Sequence, residues 1–367
     1  MGILQSCYQS DERGSLTPSR TFTRLLPKTF SARKVAASPK VVDSRCVGKR
    51  GGCGALAMRR VRSWGAAVDP ARADMDRFAV CSRERALDVD GNVLVVGVFD
   101  GHGVAGASNW GRDVADQACA IVVDAAFETT FDAVLSPGAS LARLFERFQD
   151  RHDRRYDDTV GKDVREQWDA FEAAHGFAPP KLLPPEGGST ATVLRVEGSK
   201  LTVAWVGDSR AALARRDGGA EALTSDHNAE NSESERDRVE FAGGTIAGAY
   251  VGVDGAEGLL QVTRSLGDRA HHVGGCLLAT PDVRTVDLGD DAAFLVVASD
   301  GLWHVHDERS ACAFVAAKLG ALGDDAAPEA VAAAARDLAA DAKRRAADSR
   351  DVSNDDVTVV VVVLQAP

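Results

Sequence analysis

The chain has 367 residues, of which 45% are hydrophobic, and a formal net charge of −11. That length is enough for one large domain or two small ones. Residues 1–64 hold thirteen Lys and Arg against three acids, a balance of +10, which leaves −21 for residues 65–367. The acidic body argues against nucleic acid as a partner and favours a site that concentrates cations. No apolar run reaches the 18 or so residues of a membrane span, and we find no secretory signal segment.

The basic head begins with an acylation pattern. Met1-Gly2-Ile3-Leu4-Gln5-Ser6 fits N-myristoylation of Gly2, and Cys7 follows where a second acyl chain could attach. One chain binds membranes only marginally, so a second chain or a basic segment is needed for stable anchoring. We therefore predict that residues 1–64 are a flexible tether holding a cytoplasmic protein on the cytosolic face of a membrane. The alternative is a solvated head with a chance N-terminal glycine.

Apolar runs, Gly/Pro signals and helical faces predict the following elements in chain order. The expected order is strands 77–82 and 93–99, helices 104–127 and 138–153, strands 191–196, 201–206 and 211–215, helix 232–242, strand 293–299, helices 307–319 and 328–347, and strand 357–364. Residues 154–186 are polar and end in paired prolines, which predicts an insertion or long loop. Because strands occur in clusters with helices between the clusters, we expect one α+β domain over 65–367, with antiparallel sheets flanked by helices.

Three apolar strands end at acidic residues. Asp100 follows the run Val93 to Phe99 and precedes Gly101-His102-Gly103, while Asp300-Gly301 ends a second run and Asp355-Asp356 precedes a third. Each strand anchors a carboxylate, and the glycines allow backbone carbonyls to approach a ligand closely. Three such acids far apart in sequence favour a hard divalent metal, which prefers oxygen ligands.

These acids and glycines also admit two other interpretations. Gly101-x-Gly103-x-x-Gly106 matches the dinucleotide fingerprint. The charge of Asp100 would face the pyrophosphate, however, and repeated βαβ units are lacking. An acid at a strand end is also often a turn former or helix cap, which is how we interpret Asp226 and Asp268, with indirect support of the residues in the site as the alternative.

A series of seven motifs carries a family resemblance. In order they are Asp100-Gly101-His102-Gly103, Gly187-Gly188-Ser189-Thr190-Ala191, Val206-Gly207-Asp208-Ser209-Arg210, Leu223-Thr224-Ser225-Asp226-His227, Thr263-Arg264-Ser265-Leu266-Gly267-Asp268, Ala298-Ser299-Asp300-Gly301-Leu302-Trp303 and Asn354-Asp355-Asp356-Val357-Thr358-Val359. Over about residues 72–364 this order resembles the metal-dependent serine/threonine phosphatases of type 2C, the PPM family.

The resemblance implies a four-layer α/β/β/α sandwich with two antiparallel sheets and two Mg²⁺ or Mn²⁺ ions at one end. Asp100 would bridge the ions, and the Gly101 carbonyl would bind one of them. Asp300 and Asp355 would complete the other, and Asp208 would help to hold a weaker third ion. A water bridging the ions would attack the phosphorus of phosphoserine or phosphothreonine in line.

His102 would be the general acid for the departing seryl or threonyl oxygen. The N-terminal motif of the family fits in one register if Arg72 binds phosphate and Asp76 is a metal ligand, with Arg77 then replacing a second acid. Shifting by one residue would place Met75 at the ligand position, which gives the ion no hard oxygen. We prefer the first register because it keeps the arginine fork and the carboxylate.

The motif around Asp300 also departs from the family. His304 stands where many members have an acid of the third-metal site, and imidazole suits Mg²⁺ poorly. The alternative is that His304 only packs near the surface.

Three functions remain open from the sequence. The first is an active, monomeric protein phosphatase at a membrane, acting on phosphoserine and phosphothreonine proteins. The second is a catalytically weak pseudophosphatase serving as a membrane-tethered binding module. The third is the same metal site acting on a phosphorylated small molecule.

Overall fold

The structure is a computed structural model. It describes residues 8–10, 16–18, 42–48, 51–55, 61–69, 75–84, 93–103, 110–127, 136–175, 187–256, 258–320, 326–349 and 355–365. The chain divides into two compact units, Met1–Pro39 and Lys40–Pro367. In the first unit, β1 (Tyr8–Ser10) pairs antiparallel with β2 (Leu16–Pro18).

The second unit contains the remaining strands and helices. The strands are β3 (Val42–Gly48), β4 (Gly51–Ala55), β5 (Val61–Asp69), β6 (Arg77–Glu84), β7 (Val93–Phe99), β8 (Gly101–Gly103), β9 (Gly187–Ser189), β10 (Ala191–Glu197), β11 (Lys200–Val206), β12 (Arg210–Arg215), β13 (Ala220–Ala222), β14 (Thr245–Ala247), β15 (Tyr250–Gly252), β16 (Leu266–Gly267), β17 (Asp282–Asp287), β18 (Ala292–Ala298) and β19 (Val357–Leu364). The helices are α1 (Trp110–Phe127), α2 (Pro137–His175), α3 (Glu233–Phe241), α4 (Asp300–Trp303), α5 (Glu308–Leu319) and α6 (Pro328–Asp348), with a 3-10 segment at Arg269–Gly275.

Two six-stranded sheets form the centre of this unit. The first sheet has the order β17-β11-β10-β7-β6-β3, and the second has the order β13-β12-β18-β19-β5-β4. Every pairing within both sheets is antiparallel. Two smaller sheets, β16-β9-β8 and β14-β15, accompany them.

Three apolar layers hold the sheets and helices together. Alternate residues of β7 explain the arrangement, since Leu94, Val96 and Val98 lie in the core between the sheets, whereas Val93 and Val95 pack with α1 and α2. The strand β19 divides in the same way between the inter-sheet core and helices α5 and α6. Because both faces of these strands are buried, their sequences are continuous apolar runs. The two stacked sheets with helices packed outside them confirm the predicted α/β/β/α sandwich.

Glycine and alanine allow α6 to lie close to β5. A Cβ on Gly65 would collide with the backbone of Ala332. Leu338 and its small neighbours on α6 fill the remaining space above the second sheet. The helix therefore packs with its backbone close to the strand.

The predicted tether boundary at residue 64 is wrong. β3 pairs with β6 in the first sheet, while β4 and β5 extend the second sheet, so these segments between residues 42 and 64 belong to the sandwich. The glycines of Gly51–Ala55 and of β5 lowered their strand signal, because glycine has poor intrinsic strand propensity. Gly2 and Cys7 lie outside the described residues.

The predicted loop 154–186 is also wrong over its first two thirds. Helix α2 continues without a break to His175, and residues 176–186 lie outside the described part of the chain. Many of the polar residues beyond 153 are good helix formers, and the segment contains no proline before residue 179. The apolar face therefore ends well before the helix does.

Further strands were not predicted because they are short or polar. β17 lies at the edge of the first sheet and carries polar residues on most of its length. Helix α1 is described from Trp110, later than the predicted start at 104. None of the helices in the described ranges is long and apolar enough to cross a membrane.

A buried ionic network anchors α3 to the segment before β16. The carboxylate of Glu235 accepts hydrogen bonds from Arg238 at 2.8 Å, Arg264 at 2.7 Å and Thr263 Oγ1 at 2.7 Å. Burial opposes ionisation of Glu235, but these donors outweigh it and lower its pKa from 4.5 to about 2. Ser232 caps the same helix through the backbone N–H of Glu235.

We predict that Glu235→Gln lowers the free energy of unfolding by about 3 kcal/mol at pH 7, since it leaves two partly buried arginines without their shared carboxylate. Because the folded-state pKa is depressed, the wild-type contribution is present above pH 4.5 and is lost as the pH falls towards 2. Urea unfolding across that range measures both effects. The matched control is Glu233→Gln, an exposed acid of the same helix. Equal losses in the two variants would contradict the prediction.

Candidate metal centre

Strand pairing brings four carboxylates together at one end of the sandwich. Asp76 precedes β6 and Asp100 follows β7, and the pair Arg77↔Phe99 sets these two acids side by side. In the second sheet, Ala298 of β18 pairs with Val359 of β19, so Asp300 and Asp355 also emerge at neighbouring strand ends. Because the sheets stack face to face, the two pairs of acids meet.

A cleft of about 410 Å³ opens at this point. Asp100, Gly101, Asp208, Asp300 and Asp355 line it, and Asp76 is buried beside Asp100. All the predicted metal ligands are therefore close together. Arg72, the predicted phosphate-binding residue, lies outside the described residues, so its role stays a prediction.

Three of these acids, Asp76, Asp100 and Asp355, are harder to ionise than usual. Burial, followed by the charge of Asp356, raises the pKa of Asp76 to about 7. Burial also raises the pKa of Asp100 well above its ordinary value, and the charges of Asp76 and Asp300 add to the effect. Burial and the charge of Asp300 raise the pKa of Asp355 in the same direction. The cluster is therefore electrostatically unfavourable without a cation.

Several oxygens of the cluster accept no hydrogen bond from the residues that the structure describes. Among the described residues, neither carboxylate oxygen of Asp76 nor Oδ1 of Asp300 receives a hydrogen bond, although all three atoms are buried. Buried polar atoms of this kind require a partner. A hard divalent cation fits this donor set, since it takes carboxylate and carbonyl oxygens and retains water.

The donors surround a shared space. Within the described ranges, no three His, Cys, Asp or Glu side chains already form a complete group for one ion. Waters and the Gly101 carbonyl would have to supply the remaining positions. This arrangement is in keeping with Mg²⁺, which usually keeps several waters.

Asp356 holds the backbone around Asp76, where the sequence left the register of the N-terminal motif open. Its Oδ2 accepts the backbone N–H of Met75 at 2.6 Å, and the side chain of Asp76 is 1% exposed among the carboxylates. Arg77 turns away from the cleft, donating to Asp116 at 2.7 Å and to the Asp76 carbonyl at 2.6 Å. Arg77, which stands where the family has a second acid, therefore supports the backbone that carries Asp76.

Asp208 and His304 lie on the other side of Asp300. Burial, followed by the charges of Asp300 and Asp226, raises the pKa of Asp208 well above its ordinary value. Nδ1 of His304 is 3.7 Å from Asp300 Oδ2, and the His304 side chain is 46% exposed. A small recess of about 100 Å³ is lined by Asp208, Asp300 and His304. A weak third ion would have to share this recess with an imidazole.

His102 stands in the cleft next to Asp268, an acid that the sequence suggested was structural. Nε2 of His102 lies 2.6 Å from Oδ2 of Asp268, a residue only 3% exposed. Burial lowers the pKa of His102, but the charge and hydrogen bond of Asp268 outweigh it, so the net shift is upward. Burial likewise opposes ionisation of Asp268, yet His102 and Ser265 lower its pKa overall.

Asp226 differs from Asp268. Both of its oxygens bind Arg210, at 2.6 and 2.7 Å, in a fork that ties the loop after β13 to β12. Asp226 therefore has a structural partner. The sequence offered no signal that distinguished the two acids, because each follows a polar or glycine residue at the end of a short motif.

Comparisons with known proteins agree with this geometry. A family model described as Protein phosphatase 2C matches residues 66–349. The chain is 31% identical over 314 residues to "Probable protein phosphatase 2C 11" of Arabidopsis thaliana, covering 82% of this chain and 72% of the relative. It is 39% identical over 177 residues to "Probable protein phosphatase 2C 7" of Oryza sativa subsp. japonica, covering 48% of this chain. That match spans 41% of the rice protein, so this chain covers less than half of that relative's length.

The fold is similar to a solved structure as well. The crystal structure of serine-threonine phosphatase 2C from Toxoplasma gondii matches with a TM-score of 0.54 and 19% identity, covering 89% of this chain and 100% of that one. At that identity the likeness concerns the fold alone.

Proposed function

Because the chain belongs to the protein phosphatase 2C family, we propose that it is a metal-dependent protein serine/threonine phosphatase. The observation that carries the proposal is the set of buried carboxylates at the strand ends. Asp76 and Asp300 keep oxygens without a partner among the described residues, beside a cleft that His102 also lines. An arrangement this unfavourable without cations is suited to binding them.

The residues that would hold two Mg²⁺ or Mn²⁺ ions are Asp76, Asp100, the Gly101 carbonyl, Asp300 and Asp355, with Asp208 near a weaker third. Such ions supply Lewis acidity, which activates water and offsets charge on the phosphoryl oxygens. His102 would donate a proton to the seryl or threonyl oxygen as it leaves phosphorus. Arg72 would orient the phosphate through its planar fork.

Two alternatives use the same site. A pseudophosphatase would bind phosphoproteins without turnover. It is disfavoured because the carboxylate of Asp76 is buried beside Asp100, although Met75 also lines the cleft. A phosphatase of small esters would need no room for a peptide. The cleft extends from the carboxylates to Tyr250 and the segment 258–262, which favours a larger substrate.

We predict that the protein hydrolyses a phosphothreonine peptide with Mn²⁺ or Mg²⁺ and not with EDTA, and that Asp300→Asn lowers kcat at least about 100-fold. Without metal, Asp300→Asn should melt higher than the wild type, because it relieves repulsion on Asp100, Asp208 and Asp355. Peptide turnover and thermal melting provide the two measurements. The matched control is Asp290→Asn, an exposed acid in the turn before β18.

Folded wild-type protein that melts higher with Mn²⁺ but never turns over would favour the pseudophosphatase. Turnover of small phosphate esters without turnover of the peptide would favour the third function. Turnover that persists in EDTA would contradict the metal-dependent reaction.

We further propose that the protein is cytoplasmic and lies on the cytosolic face of a membrane through acylation of Gly2 and Cys7. The support is the coincidence of Gly2, Ser6 and Cys7 with residues 1–41, which precede the sandwich strands and hold seven Lys and Arg against two acids, a balance of +5. We predict that Gly2→Ala moves the protein from the membrane to the soluble fraction. Cys7→Ser should weaken membrane binding to a smaller extent than Gly2→Ala does. Unchanged fractionation of Gly2→Ala would contradict the proposal.

A further inference from the structure

We propose that Asp268 is a positioning residue for the phosphatase reaction: its carboxylate holds the His102 ring through Nε2 and leaves Nδ1 to protonate the departing oxygen. The inference rests on the phosphatase function proposed above and adds a residue to the proton-transfer step. No other described acid contacts His102 within hydrogen-bonding distance.

The structure fixes Asp268 from several sides. Ser265 Oγ donates to the same Oδ2 at 2.6 Å, and the backbone N–H of Asp268 donates to the Gly187 carbonyl at 3.0 Å. With φ at 42°, Asp268 is the one non-glycine residue of the described ranges that has a positive φ. Such a conformation persists where the surroundings over-determine it, and it is often found at functional sites.

The strand opposite His102 leaves room for the pair. His102 of β8 pairs with Gly188 of β9. A Cβ on Gly188 would lie 2.6 Å from His102 Nε2 and would overlap Oδ2 of Asp268. Glycine at this position is therefore required for the imidazole and the carboxylate to meet.

The contact decides which nitrogen can act. Asp268 occupies Nε2, and because His102 lines the cleft, Nδ1 is the nitrogen left to donate there. A carboxylate on the far nitrogen fixes the orientation of the imidazole ring. The same relation between carboxylate, imidazole and reacting group recurs on unrelated folds.

Each proton transferred during hydrolysis has a donor and an acceptor. A water oxygen bonds to phosphorus, and the bond from phosphorus to the seryl or threonyl oxygen breaks. The departing oxygen keeps that electron pair and takes the Nδ1 proton of His102, which becomes neutral and keeps its Nε2 proton towards Asp268. One proton of the water then passes from the product phosphate to His102 and restores the imidazolium.

The test uses two substrates with different leaving groups. A threonyl alkoxide needs a proton as it departs, whereas p-nitrophenolate is a good leaving group and needs little help. We predict that Asp268→Asn lowers kcat about 100-fold on a phosphothreonine peptide and less than about 10-fold on p-nitrophenyl phosphate, as general-acid catalysis contributes 10²–10⁴-fold. His102→Ala should show the same selectivity. The double variant should be no slower than His102→Ala, because the two residues act as one unit.

A second His–Asp pair provides the matched control. His306, just before α5, has its Nε2 3.0 Å from Oδ2 of Asp341 in α6, and both residues are buried. Asp341→Asn should lower the melting temperature without changing the ratio of the two rates. If Asp268→Asn does not fold, Ser265→Ala replaces it, and we expect the same selectivity with a smaller loss of about 5-fold.

The possible failures are distinguishable. Wild-type protein that turns over neither substrate with Mn²⁺ contradicts the proposed function itself. If the wild type and His102→Ala behave as expected, equal losses on both substrates in folded Asp268→Asn, or no loss, overturn the inference alone. A double variant slower than His102→Ala by the full Asp268→Asn factor also overturns it.

Discussion

Repulsion between buried carboxylates is the constraint on which this end of the molecule depends. Asp76, Asp100, Asp300 and Asp355 are brought together by strand pairing in two stacked sheets, and burial raises the pKa of Asp76 and of Asp100. Without cations the cluster opposes folding, so the three apolar layers between the sheets and helices must offset it. The sandwich therefore holds these acids in positions that burial and their mutual repulsion oppose.

The rest of the site follows from the same frame. Asp356, next to β19, holds the backbone before β6, and the ladder between β8 and β9 sets His102 against Gly188. Asp268 then reaches His102 from a segment more than 160 residues further along the chain. The acids that we propose bind cations thus share one cleft with the imidazole, although they come from different strands and loops, as is common where a rigid scaffold positions functional residues.

Much of this arrangement could be predicted because its signals are local. The continuous apolar runs of β7, β18 and β19 mark strands buried on both faces, and the acids at their ends mark the site. The seven motifs, in their order and spacing, are specific enough to indicate the family. The strands β3 to β5, of which β4 is glycine-rich, and the polar second half of α2 were mispredicted. Sheet pairing and helix continuation there depend on distant contacts and on propensity more than on an apolar pattern. The contact of Asp268 with His102 was missed for a similar reason, since the two residues are far apart in sequence.

We propose that the strand-end acids bind two divalent cations. The most direct measurement is anomalous X-ray diffraction from crystals of the protein grown with Mn²⁺. We expect two anomalous peaks about 4 Å apart in the cleft, with Asp100 between them and Asp76, Asp300 and Asp355 within ligand distance. Crystals that diffract well and contain Mn²⁺ elsewhere but none beside these carboxylates would contradict the claim.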